Sequence, residues 1–225
     1  IDAGGEGAIG HRELLSAGCL PRAAKGHYDR ALHSLSNGGA ETMQNLKINS
    51  ARLWESLMEM AKIGATPKGG VARLAGTELD GQGRDLFVKW AEDAGCMVTV
   101  DKVGNIFARR PGSDPSRLPV MSGSHLDTQP TGGRFDGIDG VLGALEVVRT
   151  LNDAGVETAA PIEVAVWTNE EGSRYSPAMM GSGVFAGVFG LDEVLAKTAD
   201  DGGILGQDLK AIGYAGEETP GDHPV

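Results

Sequence analysis

Hydrophobic and polar positions change their period several times along this chain, and each change marks an element. Behind an Asn49–Ser50 cap, Leu53, Leu57 and Met60-Ala61 recur at helical spacing until Gly64, which predicts an amphipathic helix. A loop through Gly69-Gly70-Val71 follows. Residues 80–95 predict a second helix, with Leu86, Trp90, Ala91 and Ala94 turned inward and Gly95 as its stop. The apolar runs 97–100 and 105–109, separated by Asp101-Lys-Val-Gly, predict a hairpin. Residues 118–124 read as a buried strand, 137–154 as a helix with Val141, Leu145, Val148 and Leu151 on one side, and 161–168 as a nearly continuous apolar strand. Two short helices are expected after Ser182, the second over 192–199, and then a polar, glycine-rich tail. Strands alternating with helices define an α/β protein whose central sheet, mostly parallel or mixed, is flanked by helices.

Upstream of Met43 neither period persists, and Met43-Gln-Asn-Leu-Lys resembles a translation start, so residues 1–42 are expected to be an extension, non-native or disordered. His11, His27 and His33 fall there and are not expected to bind metal. The 225 residues suffice for one sizeable core, and a net charge of -11 opposes partners that carry phosphate backbones or anionic membrane surfaces. No nucleic-acid or membrane partner is expected. The 35 glycines, about twice average usage, imply many tight turns. Cys19 and Cys96 lack metal-type spacing, and no run is long and apolar enough for a membrane helix or patterned as a secretory signal. A cytoplasmic protein is the expectation.

The stretch from Met121 to Asp136 carries the candidate chemistry. His125 and Asp127 stand where a strand leaves the sheet, and a glycine-rich turn then delivers Asp136 to the start of a helix. The 161–168 strand empties into Asn169-Glu170-Glu171-Gly172. A neutral imidazole from His125 with carboxylates from Asp136 and Glu171 suits a divalent, zinc-like ion, and an aspartate can bridge two such ions. Asp127 is placed to hold the imidazole's other N–H. Glu170 and Glu171 can divide their work, one ligating and one taking a proton from the attacking water. Each piece has a plainer reading too: a surface turn for His-x-Asp, a helix N-cap for Asp136, a solvated corner for Glu-Glu. Arg134 and Arg174 read as surface ion pairs.

The segments Gly-Ser-His-Leu-Asp-Thr-Gln-Pro-Thr-Gly-Gly-Arg-Phe-Asp-Gly, Gly-Val-Leu-Gly-Ala-Leu-Glu-Val and Thr-Asn-Glu-Glu-Gly-Ser-Arg-Tyr-Ser-Pro-Ala-Met-Met-Gly-Ser, in that order, resemble the dinuclear-metal amidohydrolases that include N-carbamoyl-L-amino acid hydrolase, β-ureidopropionase and allantoate amidohydrolase. The resemblance implies a zinc-exopeptidase-like catalytic domain hydrolysing a carbamoyl or ureido C–N bond of a small molecule. It implies two divalent metal ions, whether zinc, manganese, cobalt or nickel, with His125 on one, Glu171 on the other and Asp136 bridging. Glu170 would be the general base and Asp127 would orient His125. Asp139 departs from the apolar residue expected at its position. The histidines that complete each metal's shell in the resembled family lie in motifs that do not occur here, and His223, in Gly-Asp-His-Pro-Val, does not match them. Residues 43–205 are therefore expected to form the first part of a catalytic domain, incomplete at the C terminus, with 206–225 an exposed tail leading towards a second, dimerising domain. The complete enzyme is expected to be a homodimer. The open sheet edges this leaves predict a chain prone to aggregation. A metallopeptidase or aminoacylase of the same superfamily, or a fragment without activity, are the rival readings.

Overall fold

The computed structural model describes residues 46–223, all but the first of them in the compact unit Lys47–Val225. The expectations for residues 1–42, for Cys19 and for His11, His27 and His33 lie outside the described residues. Helix α1 spans Ser50–Met60, and the Asn49 side chain caps it by accepting the Arg52 N–H at 3.0 Å. Helix α2 (Glu78–Asp93) begins behind Thr77, and Gly95 lies just beyond its end with φ +81°. The hairpin forms as β1 (Met97–Val100) and β2 (Ile106–Arg110). Then come β3 (Val120–His125), α3 (Ile138–Asp153) and β4 (Ile162–Trp167), each within a few residues of its sequence-derived bounds.

The four strands form one mixed sheet in the order β1-β2-β4-β3, in which only β3 and β4 run parallel. The α3 crossover explains that pair, since parallel neighbours need a connection of a dozen or more residues. Val164, Val166, Ile106 and Ala108 are buried on one face together with Phe87 of α2 and Leu142 and Leu145 of α3. The opposite face carries Phe107 and Trp167, packed edge to face at 5.9 Å and joined by Phe185.

Two expectations need correction. Residues 118–124 read as a buried strand, but β3 is an edge strand among the described residues and Val120 is 63% exposed. Small and apolar composition marks strand, not position in the sheet, because edge or centre depends on which other segments pair with it. Within the tail expected over 206–225, the described residues 206–223 are not simply exposed. After the short helices α4 (Met180–Phe185) and α5 (Leu191–Leu195), helix α6 (Leu205–Ala211) buries Leu205 and Leu209, and Tyr214 is buried beyond it. The His223 side chain is 7% exposed, hydrogen-bonded to Glu163 at 2.6 Å and stacked on Phe107 at 4.0 Å.

The β1–β2 turn is tied to the far end of β4. Asp101 accepts the N–H groups of Val103 and Asn105 and the Asn105 amide, while Asn105 Oδ1 accepts the Thr168 N–H at 3.0 Å. Burial pushes the Asp101 carboxyl up to about 6 despite these hydrogen bonds. The folded state thus holds this proton more tightly than the unfolded chain. Its contribution is fully present below pH 4 and is lost as pH rises towards and through 6, on the order of 3 kcal/mol. Urea midpoints of the wild type and of Asp101→Asn, followed from pH 4 to 7, are expected to show a flatter decline in the variant.

Candidate metal centre

The ends of β3 and β4 lie side by side, with His125 in register with Trp167, so the residues that follow each strand meet at one sheet edge. His125 is buried, and its Nδ1 lies 2.8 Å from the main-chain carbonyl of Asp127. A carbonyl can only accept, so Nδ1 carries the hydrogen and Nε2 is left facing outward. Glu170 Oε2 lies 3.3 Å and Asp136 Oδ1 3.9 Å from that Nε2. His125, Asp136 and Glu171 each offer one ligand atom, and these atoms all lie within 4.8 Å of one another.

Asp127 does not hold the imidazole through its carboxylate, as its spacing suggested. Its main-chain oxygen makes the close contact and Oδ1 stands 3.9 Å away. The carboxylate instead accepts the N–H groups of Glu170 and Glu171, both at 3.2 Å, and thereby joins the two strand ends. Burial, reinforced by the Asp80 carboxylate, pushes the Asp127 carboxyl up to about 6 against the opposing pull of His125 and the two N–H groups. Asn169 turns the chain into the Glu170–Glu171 corner at φ +51°, and its amide donates to the Tyr175 carbonyl at 2.8 Å. Gly137, at φ +70°, opens α3, and a Cβ there would lie 2.5 Å from the His125 ring. The Asp136 turn and the imidazole therefore pack without room for any side chain between them.

The remaining candidates separate clearly. Asp139 is exposed on the first turn of α3. Arg134 donates to the Gly69 carbonyl at 2.6 Å, and Arg174 pairs with Asp201 at 2.9 Å and Asp208 at 3.0 Å. His223 partners Glu163, which is in register with Met121, four residues before His125 on β3, so it is not part of the His125 group. The sequence reading missed Gln129, whose amide donates to Glu171 Oε2 at 3.0 Å. It also missed Arg73 and the fully buried Asp80–Arg84 pair, 2.9 Å apart. The pair left a signal: positions 80, 84, 87 and 91 share one helical stripe, so two charges stood in line with Phe87 and Ala91.

A divalent cation fits these donors. An imidazole nitrogen and carboxylate oxygens gathered within 4.8 Å of one another are the donor types that a divalent cation takes. Oxygen and imidazole donors with no thiolate suit zinc, manganese, cobalt or nickel.

Comparison with known proteins gives the class first. The model of peptidase family M20/M25/M40 matches residues 121–221, a stretch that contains all five candidate site residues. Within that class, the chain is 55% identical over 178 residues to an N-carbamoyl-L-amino-acid amidohydrolase of Rhizobium meliloti, a match covering 79% of this chain and 43% of the relative. A ureidoglycolate hydrolase of Arabidopsis thaliana is 31% identical over 79% of this chain and 38% of its own length. The crystal structure of a hydantoinase/carbamoylase-family amidase from Burkholderia multivorans superposes with a TM-score of 0.79 at 62% identity, covering 80% of this chain and 44% of that one. The chain thus spans less than half the length of these relatives. Among the described residues no helix is long and apolar enough to cross a membrane.

Proposed function

We propose that this protein takes part in the metal-dependent hydrolysis of a linear carbamoyl or ureido C–N bond, as in an N-carbamoyl-L-amino acid, ureidopropionate or allantoate. The observation that carries this reading is the convergence of His125, Asp136 and Glu171 within 4.8 Å, with Glu170 beside them. The names of the relatives, N-carbamoyl-L-amino-acid amidohydrolase and ureidoglycolate hydrolase, supply the bond class. His125 would hold one ion, Glu171 a second, and Asp136 both. Bound there, the ions supply Lewis-acid polarisation of the carbonyl and stabilise the developing oxyanion.

The chain's own residues do the rest. His125 is oriented by the Asp127 carbonyl, which accepts from its Nδ1 and leaves Nε2 for the ion, while Gln129 restrains the Glu171 carboxylate. Glu170, with its side chain 35% exposed, takes a proton from the attacking water and returns it to the departing nitrogen. Its main chain is fixed by the Asp127 carboxylate, so the side chain alone has to move. Residues 43–205 would form the first part of the catalytic domain, and the whole protein would be a cytoplasmic homodimer. The family name M20/M25/M40 peptidase keeps one alternative in play, hydrolysis of an acyl-amide or peptide bond at the same ions.

Metal content per chain of the whole protein, measured by elemental analysis after gel filtration, is expected to approach two ions. Hydrolysis is expected for N-carbamoyl amino acids or allantoate and not for N-acyl amino acids or dipeptides. A preference for acyl or peptide substrates would move the assignment to the alternative, and a chain that purifies without metal and cannot be loaded would sink both.

A further inference from the structure

Arg73 takes no part in the chemistry above, yet it is only 1% exposed. Its hydrogen bonds go to carbonyl oxygens: Nε donates to Leu126 at 2.8 Å, and Nη1 to Ile63 at 2.9 Å and Met60 at 3.3 Å. The Asp80 and Asp127 carboxylates act on it through space, and burial nevertheless holds the guanidinium below its usual range. A neutral side chain could satisfy carbonyls without the desolvation of a charge. Helix α2 also yields to this residue. Gly83 lies in the helix interior, where glycine is destabilising relative to alanine, and a Cβ there would stand 2.8 Å from Arg73 Cδ and 3.1 Å from Nε. Two unfavourable choices converge on one side chain, and its position accounts for them.

Leu126, whose carbonyl Arg73 holds, lies between His125 and Asp127. The Arg73 main chain grips the next residue but one, its N–H donating to Thr128 Oγ1 at 2.8 Å and its carbonyl accepting the Thr128 N–H at 2.9 Å. Residues 126 and 128 are thus anchored to Arg73, while His125 before them and Asp127 between them face the candidate ions and the Glu170–Glu171 corner. We propose that Arg73 is a positioning residue of the metal centre, acting through the Leu126 carbonyl to set the direction of His125 and of the Asp127 carboxylate. This rests on the metal reading above.

The test is cobalt(II) titration of the full chain, followed by visible absorption and calorimetry, with melting in chelator as the control for folding. Arg73→Met, which keeps the stem and removes every donor, is expected to weaken cobalt binding by about 10–100-fold and to alter the visible band. Arg73→Lys should recover part of the affinity. Gly83→Ala, which keeps Arg73 but crowds it, should weaken binding severalfold and shift the band in the same sense, and it carries the test if Arg73→Met does not fold. Val148→Ala, in the α3 core, serves as the control for general destabilisation and is expected to leave the band unmoved. Wild-type affinity and spectrum in Gly83→Ala and either Arg73 variant would overturn the role of Arg73. So would a Val148→Ala variant that alters cobalt binding as much as they do. Failure of the unaltered chain to bind cobalt would instead overturn the metal reading, and the role of Arg73 with it.

Discussion

In the complete enzyme, replacing Glu170 with Gln is expected to lower hydrolysis of an N-carbamoyl amino acid by about 10²–10⁴-fold, the usual contribution of a positioned acid–base group. The amide keeps the shape of the side chain and loses the ability to take a proton. Bound metal should stay at the wild-type level, because the candidate ligand group is His125, Asp136 and Glu171. The strand-end anchor also survives, since Asp127 holds the main-chain N–H of residue 170 and not its side chain. Glu170 Oε2 is nevertheless the carboxylate oxygen recorded nearest His125 Nε2, at 3.3 Å, so the substitution also tests whether Glu170 is a ligand. Loss of metal along with activity would exchange the roles of Glu170 and Glu171. Retained turnover would remove Glu170 from the chemistry altogether.

Gly137→Ala is expected to damage the centre without touching a candidate ligand. Its backbone sits at φ +70°, ψ -47°, where a side chain is strained whatever the space available. Its Cβ would also lie within 2.6 Å of three atoms of the His125 ring. Strain and overpacking together predict a loss of stability of roughly 2–5 kcal/mol. If the imidazole gives way, metal affinity falls and the fold is spared. If the turn gives way, Asp136 moves and affinity falls again. Metal titration with a parallel denaturant melt checks both, and unchanged values in the two would show that the Gly137–His125 approach is looser than described.

The elements themselves were legible because period and punctuation are local properties. Asn49 is a side-chain cap, Gly95 is a helix stop, and the apolar run that becomes β4 has few alternatives to a buried strand. Gln129 was hidden by contrast, because its contact with Glu171 spans 42 residues and a lone glutamine in a turn carries no spacing signal. Arg73 was hidden in a stretch that read as a loop, although it ties Leu126 and Thr128 in place.

Alone, the sequence determined the α/β order of elements and the strand ends and helix start at which His125, Asp127, Asp136, Glu170 and Glu171 stand. Those follow from periodicity and punctuation, whereas each of the five residues taken singly also has a plainer reading. Only the tertiary structure decided that β3 lies at the edge, that residues 205–214 pack against the core, and that Asp127 reaches His125 through its carbonyl and the Glu170–Glu171 corner through its carboxylate. The reason is physical: a local pattern sets which groups a segment presents, whereas the partner of each group is chosen by whichever distant segment the folded sheet brings within about 3 Å.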